Sequence, residues 1–132
     1  MRKKVFFAAL AYILSPSVHA YESTSLACRV LEQSPRFHNS KPLGAIVSGT
    51  LNKYSSDNFS LNIDGFLVNS DYGGVAKKNE NIVYIQEGGP TSAIASYDMK
   101  TNVAEMSMNM SDYSFHAKWS CEKLETKTIN LN

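Results

Sequence analysis

Apolar and polar residues alternate along most of this chain, and no stretch shows helical spacing long enough for a crossover helix. The clearest run is Tyr113-Ser-Phe-His-Ala-Lys-Trp-Ser-Cys121. Tyr113, Phe115, Ala117, Trp119 and Cys121 fall on one side, with Ser114, His116, Lys118 and Ser120 on the other. That period of two predicts a half-buried strand. The same pattern predicts strands over Phe59–Ile63 and over Val103–Met110, where Ala104, Met106, Met108 and Met110 share a face. Asp64-Gly65 is a tight-turn dipeptide, so Phe66–Val68 is expected to return antiparallel to Phe59–Ile63. Leu26–Glu32, Gly44–Tyr54 (with a kink or bulge at Gly49), Ile82–Ile85 and Ala93–Tyr97 read as further strands.

Turn chemistry divides these runs. Ser55–Asn58 and Asp98–Asn102 are expected hairpin connections, while 33–43, with Pro35 and Pro42, and 69–81, with Gly73 and Gly74, read as longer irregular segments. The tail from Glu122 to Asn132 is polar and reads as a frayed extension or a disordered end. The result is an all-β chain of about eight strands. Short connections favour an antiparallel meander, because parallel pairing needs a dozen or more linking residues. A closed or nearly closed barrel is the expected architecture, since closure removes exposed edges, and a two-sheet sandwich is the alternative.

The amino terminus changes the setting. Met1-Arg-Lys-Lys4, the apolar run Val5–Leu14 and Ser15–Ala20 have the three parts of a secretory signal peptide, with cleavage expected after Ala20. Residues 21–132 would then be a single β domain. Loss of Arg2, Lys3 and Lys4 leaves ten basic against twelve acidic residues. A chain without a basic excess has no electrostatic case for nucleic acid, and no later stretch is apolar enough for membrane insertion. Export also gives meaning to Cys28 and Cys121, the two cysteines of the chain. In an oxidising compartment such a pair is expected to form a disulfide, here tying the first strand to the last.

Catalytic and metal chemistry find little to work with. His38 and His116 are the histidines beyond the leader, too few with bonded cysteines for a zinc site. There is no zinc-protease helix motif, calcium loop, nucleophile elbow or glycine-rich phosphate loop. No cofactor is expected and the chain reads as a non-enzyme, with an uncharacterised hydrolase as the third reading. Met106, Met108, Met110, Phe115 and Trp119 are candidates for lining a cavity, because methionine adapts to irregular ligands and a small barrel can hold one.

Segment 69–81 is the candidate for protein contact. Ser70, Asp71, Tyr72, Lys77 and Lys78 set an aromatic and exposed charge beside flexible glycines, a composition that binding loops use. In general layout the chain resembles the bacterial lysozyme inhibitors of the C-type class, small exported disulfide-containing β domains whose inhibitory loop presents a serine and a glycine. The match is confined to Ser70 and Gly73, and the tyrosine that should follow that glycine is absent. The expected function is that of an exported binding protein, periplasmic or secreted, that occludes an envelope or extracellular protein. The second reading is a lipocalin-like carrier of a small apolar ligand.

Overall fold

The protein is described by a computed structural model covering residues 19–71, 73–88, 92–109, 112 and 114–131. Residues 1–18 of the proposed leader 1–20, Tyr72, Met110 and Tyr113 lie outside the described residues. The described chain forms nine antiparallel strands: β1 His19–Ser34, β2 Ile46–Ser55, β3 Asn58–Ile63, β4 Phe66–Asn69, β5 Val75–Asn79, β6 Ile82–Glu87, β7 Ser92–Asp98, β8 Val103–Asn109 and β9 Ser114–Leu131. They make a single sheet in the order β4-β3-β2-β1-β9-β8-β7-β6-β5. The chain meanders outward from β1 to β4, crosses to β5, and meanders back until β9 lies against β1.

This sheet is a curled half-barrel of nine antiparallel strands, all-β as expected but not closed, where a closed or nearly closed barrel of about eight strands was expected. Its two edges, β4 and β5, are consecutive in the chain yet do not pair. The curl carries one arm of the sheet over the other, so that β4 packs against β6 and β7 while β3 packs against β5 and β6. Side chains fill the space between the arms face to face, as in a sandwich, although hydrogen bonding through β1 and β9 keeps them in one sheet. Leu61, Ile63 and Val68 on one side, with Val83, Ile85 and Ala95 on the other, are at most 1 % exposed.

Alternation on the core strands follows the sequence. Ala104, Met106 and Met108 on β8, and Phe115, Ala117, Trp119 and Cys121 on β9, are buried. Asp64 and Gly65 take positive φ of 53° and 86°, the geometry that joins β3 to β4 with two residues. Four other expectations change. β1 begins at His19 rather than Leu26, and the polar tail is not frayed but continues β9 to Leu131. Segment 69–81 contains the strand β5. Gly49 stays in register with Leu26 and Ile63 and carries no bulge, and the register shift of β2 lies instead between Lys53 and Ser55.

Cys28 and Cys121 are register partners on β1 and β9, with Cα atoms 4.0 Å apart and a disulfide between them. The bridge joins the first and last strands as expected and indicates an oxidising compartment, extracellular or periplasmic. Among the described residues no helix is long and apolar enough to cross a membrane.

Candidate functional site

The segment singled out in the sequence does not form one loop. Ser70 is buried, and its hydroxyl closes the end of β4 onto β3: Oγ accepts the Phe59 N–H at 3.0 Å and lies 2.7 Å from Asn58 Oδ1, to which it donates. Asp71 is exposed, and its Oδ1 accepts from Asn58 Nδ2 at 2.8 Å while its N–H donates to Asn69 Oδ1. Gly74 donates its N–H to the Ser70 carbonyl and completes the turn. These contacts anchor the crossing from one sheet edge to the other. The open edge of β4 receives help as well, because Glu87 Oε2 of β6 accepts the Asn69 N–H at 3.2 Å.

Lys77 and Lys78 are neighbours on a strand and therefore point to opposite faces. Lys77 pairs with Tyr84 on the outer face of β5–β6. Around it Val75, Tyr84 and Ile94 are 66 %, 40 % and 47 % exposed, and a shallow groove of about 400 Å³ runs between them. Three large apolar side chains on one face of three adjacent strands are a surface feature that sequence reading missed. The alternation was legible in Val83-Tyr-Ile85 and Ala93-Ile-Ala95, but an outward Tyr or Ile there looks the same as an inward one until register is known.

Lys78 faces the inner side, next to Val83, at one end of the core. There it borders a pocket of about 160 Å³ together with Glu22 and Lys53, over a floor that includes Leu51, Phe59 and Val83. Met99 forms a lip from the β7–β8 turn, half-buried against the core, with its N–H donated to Asn81 O at 2.7 Å. That turn is well held. Asp98 Oδ1 accepts the Lys100 N–H at 2.9 Å and the Thr101 N–H at 3.3 Å, and these bonds, the Lys100 one foremost, hold its carboxyl below the usual range. Asn102 sits at a φ of 59°, and its Oδ1 accepts the Tyr97 hydroxyl at 2.9 Å. Burial pushes the Tyr97 hydroxyl up to about 12.

Met106, Met108, Phe115 and Trp119 lie inside the packed core. Phe66 stacks on Phe115 with ring centroids 4.6 Å apart, and Phe37 of the 35–45 segment lies at 6.3 Å from the same ring. That segment is ordered by Ser40, whose Oγ accepts from Gln33 Nε2 and the Phe37 N–H, both at 2.8 Å. It caps the core at Phe115. Lys118, on the outer face, pairs with Glu105 at 3.7 Å, an exposed bridge worth at most about 1 kcal/mol. Among the described residues no cluster of three His, Cys, Asp or Glu side chains is placed to hold a metal ion.

The fold and surface define a disulfide-tied, single-sheet β protein with an apolar outer face on β5–β6–β7 and a charged mouth at one end of the core. No family model, curated protein or solved structure matches the chain.

Proposed function

We propose that this is an exported, non-enzymatic binding protein that acts by covering part of a protein partner outside the cytoplasm. The observation that carries this reading is the outer face of β5–β6–β7, where Val75, Tyr84 and Ile94 stay exposed beside Lys77. Exposed apolar side chains grouped on one face are a mark of contact surfaces, whereas single ones are ordinary. Tyrosine in particular gives contact area at low entropic cost. The strands beneath hold these side chains in place before any partner arrives, so little freedom is lost on binding. The Ser70–Gly74 crossing leads directly into β5, and Lys77 and Gln86 add polar groups beside the groove.

A photo-crosslinking residue at Ile94 tests the reading in the exported protein. It should yield one adduct of defined mass, lost when Tyr84→Ser is added, while the same probe at Glu125 on the far end of β9 yields none. Adducts of equal yield at both positions, or none at Ile94, would sink the proposal.

A further inference from the structure

Three strands turn from apolar to charged at the same end of the core. On the inner face of β2 Leu51 is followed by Lys53, on β5 Ala76 is followed by Lys78, and on β1 Leu26 and Thr24 lead to Glu22. Glu22, Lys53 and Phe59 are successive cross-strand neighbours. Lys78 approaches from the other arm of the curled sheet. The space left between the arms is the pocket of about 160 Å³ with Leu51, Phe59 and Val83 beneath it, 5 %, 4 % and 1 % exposed.

We propose that this mouth binds a small amphipathic carboxylate, with its apolar body on Leu51, Phe59 and Val83 and its carboxylate between Lys53 and Lys78. The inference is independent of the protein-binding face, which lies on the other side of the sheet. Charge sets the sign of the ligand. Two lysines and one glutamate border the pocket, leaving one positive charge in excess. Among the described residues the ion pairs are Lys118–Glu105 and Lys127–Glu125, so neither Lys53 nor Lys78 has a carboxylate at bonding distance. Volume sets the size. The pocket is smaller than the ~300 Å³ at which drug-sized sites begin, yet several times the ~30 Å³ share of a water molecule. Lysine stems can lie along the apolar wall while their ammonium groups meet the ligand's charged end. Met99, on a turn rather than a strand, supplies an adaptable lip.

Hexanoate, hexan-1-ol and hexylamine separate the contributions, titrated into the full protein with ¹³C-methyl spectra as readout. Hexanoate should shift the methyls of Leu51, Val83 and Met99 saturably, hexan-1-ol should bind more weakly, and hexylamine should not bind. Lys53→Met and Lys78→Met should each raise the hexanoate Kd by about three- to tenfold and narrow the preference over hexan-1-ol. Glu22→Gln should lower that Kd by about two- to fivefold, because a repelling carboxylate is removed. Lys77→Met, on the outer face, should leave it unchanged. All of these positions are exposed, so the fold should survive substitution, which the unligated spectra verify. Hexan-1-ol binding as tightly as hexanoate, shifts confined to other methyls, or no saturable shift would overturn the proposal.

Discussion

Tyr97 is wholly buried, and its hydroxyl has Asn102 Oδ1 as partner at the foot of the β7–β8 turn. With the folded pKa pushed up to about 12 and an unfolded value near 10, the proton is held more tightly in the folded state. Below pH ~10 both states are protonated and the full stability is present. Between about 10 and about 12 the unfolded chain loses its proton first, so stability falls as pH rises, by up to about 2 to 3 kcal/mol. Urea unfolding across that range should show the decline. In Tyr97→Phe this alkaline contribution should vanish, at a cost of about 1 kcal/mol at neutral pH for the lost hydrogen bond. Gly74 is constrained by space. A Cβ there would collide with the Gln86 carbonyl oxygen, which belongs to the backbone and cannot swing aside. Gly74→Ala should therefore cost about 1 to 3 kcal/mol in unfolding free energy and disturb the start of β5.

β1 and β9 each continue well past the disulfide, and there they differ in kind from the strands of the core. Residues 122–130 of β9 are exposed except for half-buried Ile129, and they pair with 20–27 of β1 through backbone bonds and contacts such as Thr24 Oγ1 to Thr126 Oγ1 at 3.0 Å. Tyr21 and Tyr54, with ring centroids 5.0 Å apart, make an aromatic contact on this extension. Little apolar area is buried, so local opening should be easy. Amides of 125–130 are expected to exchange with solvent faster than those of 115–121 by orders of magnitude in native-state hydrogen exchange, and equal protection would contradict that account. The other side of this part of β9 has no partner strand among the described residues. Glu122, Lys123, Glu125 and Lys127 and a register shift near Leu26 are the devices by which such edges resist pairing with another chain. These polar strands were not legible as strands, since a segment that buries neither face leaves no period-two signature. β5 escaped for a related reason: Val-Ala-Lys-Lys-Asn has weak strand propensity and buries only Ala76.

The disulfide ties residues 93 apart in sequence, and it does so between directly paired positions. Reducing it, or replacing both cysteines by alanine, should lower unfolding free energy by about 2 to 5 kcal/mol, measured by denaturation with and without reductant. The curled sheet should persist in the native state of the reduced protein if β1–β9 pairing and Trp119 packing dominate, and near-ultraviolet circular dichroism reads that directly. At this scale the sequence by itself determined an all-β chain, the core faces of β3, β8 and β9, the Asp64-Gly65 turn and the cysteine pairing. Those features follow from local chemistry: alternation, turn residues that accept positive φ, and an even number of thiols. Tertiary structure alone decided that β4 and β5 pass over the opposite arm rather than join, because closure depends on how far nine twisted strands curl. It also decided that Lys77 meets an apolar outer face while Lys78 meets the mouth of the core. Adjacent residues on a strand point oppositely, and only register says which way.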